Sequence, residues 1–417
     1  MAKRCQIAFT LAQELDRQGC TLSPSLFSLF IEDLVECLPC GIEYDGKAIK
    51  ALMFADDIVI LAYSPESLQL MINRLCDYCK IWNLTVNLEK SKVMTFRKGG
   101  GRNRNSEKWW YNGETIEVVN EYRYLGILMT KNLDMENHFK DKLAKAKTAI
   151  AATWNRCFSK KNIRHSAKFR VFEAVSEAIM LYSAQVWGYK QYETVDKLLR
   201  YYIKRIFHIP SNAPNYLVML ETGPPPLFIR TLKLHIDYIL KAFNMPNDRL
   251  PKIVALHIMR RNTGWMEEWQ ELRSQWCGMQ LNLNYDNLSE WKPRLNELIA
   301  NVDRKCREVY VMEATGSVHR TNYFRDEYSV DEISMMGRLR VELLCLNYMP
   351  HRDDLPIICD LCNMQERKDT LHFIGRCPVL AETRRYYLGA NILSVIQIID
   401  LLNEMNVPKL FMYCKLR

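Results

Sequence analysis

Two acids side by side in an apolar stretch are the first residues with a chemical reading. Asp56 and Asp57 separate the run Ala51-Leu52-Met53-Phe54 from Ile58-Val59-Ile60-Leu61. Carboxylates buried there without a cation or donor would cost several kcal/mol of desolvation. The two short apolar runs predict a β-hairpin over 49–62 with the acids at its turn. There they would offer oxygen ligands to Mg²⁺, which takes one or two carboxylates plus substrate phosphates. An exposed Asp-Asp turn, a common feature, is the other reading. A second set lies near the C-terminus, where Cys359, Cys362, His372 and Cys377 are separated by two, nine and four residues. Three thiolates and an imidazole suit a tetrahedral, structural Zn²⁺ site. Loops so short would form a knuckle too small to own a core, so the metal would supply its folding energy. Four unconnected residues in a chain of 14 cysteines are the alternative.

The elements that must position these groups follow from periodicity. Leu26, Phe27, Phe30, Ile31, Leu34, Val35 and Leu38 recur at three- and four-residue steps, which predicts a helix over 24–38 after a Gln18-Gly19 turn, with Ser23 as a cap. Leu68, Met71, Ile72, Leu75, Tyr78, Cys79 and Trp82 predict another helix, residues 93–96 a strand and residues 116–129 a second hairpin. Helix, hairpin, helix, strand and hairpin in that order make an α+β fold. Beyond Met129 the pattern is almost wholly helical, with candidates at 133–158, 166–186, 194–207 and 227–243. Gly223-Pro224-Pro225-Pro226 breaks any helix there and marks a joint. The glycine- and arginine-rich residues 97–106 read as an exposed loop.

Composition excludes several classes. With 417 residues, 48% of them hydrophobic and 25% charged, the chain can bury a sizeable core in two or three domains, so global disorder is excluded. No apolar run approaches membrane-span length, and Lys3, Arg4, Gln6 and Gln13 leave no signal-peptide core. The expectation is an intracellular protein, nuclear or cytoplasmic, with free thiols and no membrane partner. Charge is uneven. Residues 97–130 hold six basic and four acidic side chains and residues 131–170 eleven and three, a net +10 within a chain of +9. That is the footprint of a polyanion-binding face, or else a solvated helix surface.

Order and spacing of short motifs add a resemblance. Arg17-Gln18-Gly19-Cys20-Thr21-Leu22-Ser23-Pro24-Ser25-Leu26-Phe27, then Phe54-Ala55-Asp56-Asp57, then Asn87-Leu88-Glu89-Lys90-Ser91-Lys92, then Tyr124-Leu125-Gly126 closely resemble successive palm motifs of reverse transcriptases from non-LTR retrotransposons. Leu181-Tyr182 and Val186-Trp187-Gly188 resemble the thumb of that family, and Asn212 to Tyr216, Glu221-Thr222-Gly223 and the Cys359 to Cys377 segment continue the likeness. The resemblance implies an RNA-directed DNA polymerase using two-metal nucleotidyl transfer, with an RNA template, a DNA primer or product duplex and deoxynucleoside triphosphates as partners. It implies that Asp56 and Asp57 hold Mg²⁺ and that Phe54 lies beneath the primer end. Arg17, Gln18 and Gly19 would contact the template strand, and Tyr124, Leu125 and Gly126 would form a primer grip. Lys90 would protonate the departing pyrophosphate, a surface lysine being the alternative. Lys140, Lys142, Lys145 and Lys147 would bind the duplex backbone without reading sequence. Tyr201, Tyr202, Trp265, Trp269 and Trp276 could stack on bases, although their helical spacing reads more simply as core.

One part of the pattern is missing. Two-metal chemistry needs carboxylates from two strands, and the family's first metal-binding Asp lies well upstream of the Arg17-Gln18-Gly19 turn, which only sixteen residues precede here. Glu14 and Asp16 abut that turn and read as surface residues. The expected architecture is an incomplete palm over 1–130, a helical thumb over 131–223, a helical connection over 224–350, a CCHC zinc knuckle over 351–385 and a tail over 386–417. The expected function is a truncated reverse transcriptase, inactive alone. The alternative is a non-catalytic nucleic-acid-binding remnant that uses the basic helices and the knuckle.

Overall fold

The computed structural model describes residues 4–12 (backbone), 23–96, 107–277, 288–313, 328–344, 358–359, 361–366, 369–403 and 407–415. Arg17, Gln18, Gly19, Glu14 and Asp16, and residues 97–106, for which a turn and a loop are expected, lie outside these ranges. Two compact units emerge, Met1–Asp141 with Lys241–Thr263, and Lys142–Leu240 with Gly264–Arg417.

In chain order the strands and first helices are β1 (Arg4–Ala12), α1 (Ser23–Phe30), α2 (Leu34–Cys37), β2 (Ile42–Tyr44), β3 (Lys47–Ile49), β4 (Ala51–Phe54), β5 (Asp57–Ala62), α3 (Pro65–Ile81), β6 (Thr85–Val86), β7 (Lys92–Phe96), β8 (Trp109–Tyr111), β9 (Glu114–Val118), β10 (Glu121–Tyr124) and β11 (Ile127–Thr130). Then follow α4 (Glu136–Thr153), α5 (His165–Phe172), α6 (Ala178–Met180), α7 (Ala184–Trp187), α8 (Glu193–Ile206), α9 (Asn215–Thr222), α10 (Leu227–Phe243), α11 (Leu250–Arg261), α12 (Trp265–Cys277), α13 (Leu288–Glu313), α14 (Val330–Leu344), α15 (Ala381–Leu388), α16 (Val395–Asn403) and α17 (Val407–Lys415). The mixed α and β content agrees with the expected α+β class.

The first unit is built on a sheet in the order β4-β5-β1-β7-β9-β8, with β6 paired to β1. All its pairings are antiparallel except β7 with β9. Helix α3 covers one face because its sequence encodes both start and stripe. Ser64 caps it by accepting from the Ser67 amide at 3.1 Å while Ser67 Oγ returns the contact to the Ser64 amide at 3.2 Å, and Pro65 supplies a preset first turn. Leu68, Met71, Ile72, Leu75 and Tyr78 then bury against Ile58, Ile60, Ala62 and Val93. The other face of β5 presents Val59 and Leu61 to Ile42, Ile49, Tyr122 and Tyr124. The two faces alternate residue by residue, as a strand requires.

Two expectations are adjusted by the backbone. The predicted helix over 24–38 is interrupted at 31–33, giving α1 and α2, although Phe27, Ile31, Leu34 and Leu38 all reach the core as their spacing demands. The second hairpin is β10–β11, whereas β9 pairs with β8 and β7. The cause is a pair of tight turns at Asn112-Gly113 and Leu125-Gly126, all four residues with φ between +44° and +87°, which place the reversals there.

The second unit is helical. Helix α8 buries Val195, Leu198, Leu199, Tyr202, Ile203 and Ile206 along one stripe, with Tyr202 stacked on Phe172 at 4.1 Å. Buried Asp196 accepts from Gln191 Nε2 at 3.1 Å and from the Phe228 amide at 3.3 Å, placing a carboxyl at the N-terminus of α10. No described helix is long and apolar enough to cross a membrane.

Candidate active-site hairpin and metal-ligating cluster

The Asp56-Asp57 pair sits where the apolar runs placed it. Phe54 pairs with Asp57, so β4 and β5 are joined by the two-residue loop Ala55-Asp56. Ala55 has φ +50°, a left-handed conformation that an alanine adopts at a cost of about 1 kcal/mol. Strain of this kind gathers where a turn must aim its side chains. Replacing Ala55 with glycine is therefore expected to stabilise the first unit by about 1 kcal/mol in urea unfolding. A loss of stability would show that the turn does not hold this conformation.

Asp56 is exposed at the tip and Asp57 is half-buried. By strand alternation Asp57 shares the face of Val59 and Leu61, where Tyr122 and Tyr124 also pack. Both phenols are pushed above their ordinary range, first by burial and then by the negative charge of Asp57. The Tyr122 hydroxyl donates to the Lys90 carbonyl at 3.1 Å. Lys90 is held in turn by its own amide, which donates to Asn87 Oδ1 at 3.1 Å, while Ser91 Oγ donates to the Asn87 carbonyl at 2.7 Å. Asp57, Tyr122, Tyr124 and the backbone of Lys90 thus converge, with the Lys90 side chain exposed. Tyr122 escaped the sequence reading. Its signal was the alternation in Glu121-Tyr122-Arg123-Tyr124, which puts both tyrosines on one face.

Beside the acids, Leu52, Met53 and Phe54 are exposed, Phe54 by 63%. A run of uncovered apolar side chains next to two carboxylates is a surface built for contact rather than for a monomer's core. Leu125 (φ +44°) and Gly126 (φ +80°) form the β10–β11 turn, and a leucine in that region is uncommon. Strand β1 lies beside β5 with Thr10 in register with Asp57. The segment Arg4–Ala12 contains neither Asp nor Glu, so this neighbouring strand adds no carboxylate to the pair.

The basic residues differ in burial. Lys140 and Lys145 are exposed, Lys140 lying 3.9 Å from Glu136. Lys142 is buried with its ammonium 4.2 Å from the centre of the Tyr182 ring, and Lys147 sits 4.7 Å from that of Tyr201. Arg156, Lys160, Arg164 and Arg170 are exposed, whereas Lys168 is buried and Lys161 pairs with Asp331 at 2.8 Å. Tyr202, Trp265 and Trp269 belong to the core.

Other motifs prove to be packing devices. Trp187 donates to the Tyr182 carbonyl at 3.2 Å, and a Cβ on Gly188 would lie 2.3 Å from the Thr231 carbonyl oxygen. Lys204 gathers the 211–215 loop by donating to the carbonyls of Ser211 (2.9 Å) and Ala213 (2.6 Å) and to Asn215 Oδ1 (3.1 Å). Gly223 ends α9 at φ +73°, and its carbonyl accepts from Arg307 at 2.8 Å.

Cys359, Cys362, His372 and Cys377 converge, their ligand atoms all within 4.8 Å of one another and all four residues buried. Cys362 Sγ lies 3.3 Å from His372 Nε2. The other ring nitrogen, Nδ1, is 2.7 Å from Glu366 Oε2, an arrangement that leaves Nε2 to face the thiols. Burial pushes the Cys359 thiol up, but hydrogen bonds from the amides of Leu361 and Cys362 and from the Cys362 and His372 side chains together bring it down to about 7. This donor set fits a divalent metal ion of the soft or borderline kind. The segment around it is larger than a bare knuckle. His372–Arg376 forms one turn of π-helix against α15 and α16, and Ile374, Leu393, Ile398, Leu402, Val407, Leu410 and Tyr413 are buried in the same region.

Residues 8–129 match the reverse transcriptase (RNA-dependent DNA polymerase) family. The chain is 24% identical over 206 residues to the RNA-directed DNA polymerase from mobile element jockey of Drosophila melanogaster, an alignment covering 48% of this chain and 22% of that protein. It is 23% identical over 226 residues to the probable RNA-directed DNA polymerase from transposon X-element of the same organism, covering 53% and 23%. It is 26% identical over 211 residues to a retrovirus-related Pol polyprotein from a type-2 retrotransposable element of Drosophila melanogaster, covering 48% and 19%. The matched region spans about a fifth of the length of these relatives. The paired acids at a strained hairpin turn, the tyrosine face behind them and these matches make residues 8–129 a reverse transcriptase domain of the non-LTR retrotransposon type.

Proposed function

We propose that this chain serves RNA-directed DNA synthesis, supplying part of a polymerase palm over 1–130, thumb helices over 131–223 and a zinc knuckle over 351–385. The observation that carries it is the placement of Asp57 on the face of β5 shared with Tyr122 and Tyr124, inside the segment that matches the family. In this reading Asp56 and Asp57 bind Mg²⁺ that clamps a deoxynucleoside triphosphate. Phe54, Leu125 and Gly126 border the primer end, and Arg17, Gln18 and Gly19 meet the template. Lys90 reaches toward the leaving pyrophosphate, its backbone fixed by Tyr122.

Two-metal transfer draws carboxylates from more than one strand, and β1, the strand beside Asp57, carries none. The 417-residue chain is therefore expected to bind an RNA–DNA template–primer without extending it. Primer extension on an RNA template with Mg²⁺ tests this. Incorporation that is robust in the parent and abolished by Asp56→Asn would show that an acid from elsewhere completes the site. Failure to bind the template–primer at all would remove the polymerase reading.

A non-catalytic nucleic-acid-binding role is favoured by one specific observation, the exposure of Lys145, Arg156, Lys160 and Arg164 in the second unit. Each phosphate contact contributes about 0.9 to the slope of log affinity against log salt. Neutralising those four is expected to flatten the slope by about 3.6 and leave it insensitive to Asp56→Asn and Asp57→Asn. An unchanged slope would mean that another surface binds the backbone. Neutralising Lys142 instead should act through stability, because its ammonium is occupied by Tyr182.

A further inference from the structure

The residue that most distinguishes the Cys/His segment is a cation whose donors, among the described residues, meet carbonyls rather than acids. Arg384, on α15, is entirely buried, a state charged side chains reach only when their donors are met. Its guanidinium donates to the carbonyls of Ile374 at 2.6 Å, Cys377 at 2.8 Å and Phe373 at 3.5 Å, and also to that of Asn391. Among the described residues no carboxylate lies within ion-pair distance of it. Three of its four acceptors belong to 373–377, directly after the candidate ligand His372 and up to Cys377. His372–Arg376 is one turn of π-helix, whose wide bonding pattern leaves carbonyls that a regular helix would use.

Other contacts seat the same turn without charge. Tyr413 Oη donates to the Phe373 carbonyl at 2.7 Å, and the Leu393 amide to that of Gly375 at 2.9 Å. Gly375 itself has no room for a Cβ, which would meet the Leu393 carbonyl oxygen at 2.8 Å. The turn is thus clamped from several sides: Asp369 Oδ1 accepts from the His372 amide at 2.8 Å and Glu366 meets the His372 ring, while Arg384 is the cation that, among the described residues, gathers its carbonyls.

We infer that Arg384 is a positioning residue of the metal centre. Through the carbonyls of Ile374 and Cys377 it fixes the π-turn that aims His372 and Cys377 at Cys359 and Cys362, and its buried positive charge favours the loaded state. A zinc ion with three thiolates and one neutral imidazole carries a net charge of −1, and a guanidinium retained in the same low-dielectric region offsets it. The inference rests on the zinc reading given above. It goes beyond the ligand set by naming what orients the ligands.

The test is zinc affinity of the full chain by competition with a chromophoric chelator, together with the thiolate-to-metal absorption of the Co²⁺ form, for the parent, Arg384→Lys, Arg384→Met and Tyr413→Phe. The parent is expected to bind one zinc. Arg384→Met should weaken binding about 10- to 100-fold and shift the Co²⁺ bands. Arg384→Lys, which keeps the charge but not the fork, should lie between, and Tyr413→Phe should change affinity by less than about threefold. Melting temperatures of Arg384→Lys alone and combined with Cys377→Ser separate a role at the metal from general packing. The effect of Arg384→Lys should shrink when the metal cannot bind. An equal effect in both backgrounds, insolubility of both Arg384 variants with or without Cys377, or unchanged zinc affinity overturns the inference. Absence of zinc binding by the parent instead overturns the metal reading itself.

Discussion

Gly188→Ala is expected to destabilise the second unit by about 3 kcal/mol or more, among the largest effects of any single-methyl addition in the chain. Gly188 has an ordinary φ of −72°, so conformational freedom is not the issue. The added carbon would stand 2.3 Å from the Thr231 carbonyl oxygen and 2.5 Å from that of Ala184. Both atoms are backbone, and the Gly188 amide already donates to the Ala184 carbonyl at 2.7 Å. Neither can move without disturbing α7 or α10. Urea unfolding would show the midpoint falling with the slope unchanged. A loss under about 1 kcal/mol would mean that the two helices do not approach so closely. The Val186-Trp187-Gly188 motif is thereby explained by packing, with Trp187 buried as the anchor and Gly188 as the clearance.

Removing the metal should have the second large effect. Cys377 is wholly buried and donates its amide to the His372 carbonyl at 2.7 Å, so Cys377→Ser breaks the ligand set while leaving the backbone contact. For a site loaded about 1,000-fold above its Kd the linked stabilisation is about 4 kcal/mol. Zinc content of the full chain should fall from one per chain to near zero, and amides of α15, α16 and α17 should exchange faster. Addition of a strong chelator to the parent should reproduce both changes. Exchange indifferent to chelator, in a protein that copurifies with no zinc, would dismiss the metal centre.

Much of this arrangement was legible in the residues. The apolar runs flanking Asp56 and Asp57 specify β4 and β5, and the stripe from Leu68 to Cys79 specifies α3, because in both cases one face must be buried. The convergence of Cys359, Cys362, His372 and Cys377 follows from their spacing and chemistry. Other features depend on partners far away in sequence. Nothing local to Ile31-Glu32-Asp33 announces the break between α1 and α2, where Asp33 accepts from Tyr78 Oη at 2.5 Å across the fold. The Asp45-Gly46 turn, with φ of +50° and +77°, joins strands of only three residues each, too short for their alternation to stand out. Arg384 resembles any helix arginine until the four carbonyls around it are known, and Lys142 resembles a phosphate ligand until Tyr182 is found beneath it. Charge read along a helix says how many cations there are, while only packing says which are at liberty.

The placement of Asp57 also explains why Tyr122 and Tyr124 belong with the acids. Asp57 is half-buried on the strand face where the two phenols pack, and its charge reaches both of them. A single pair of adjacent carboxylates is enough to attract a divalent ion but holds it weakly, since Mg²⁺ and Mn²⁺ keep most of their water unless more ligands are supplied. Catalysis would require the remaining carboxylate and substrate phosphates.

The proposed role of the hairpin depends on Asp56 and Asp57 forming a divalent-ion site at the β4–β5 turn. Titrating Mn²⁺ into the zinc-loaded chain, followed by the electron paramagnetic resonance of the free ion, addresses it most directly. One weak site is expected, with a Kd on the order of 1 mM, that disappears in Asp57→Asn and is weakened in Asp56→Asn. Manganese uptake identical in the parent and both variants would contradict it.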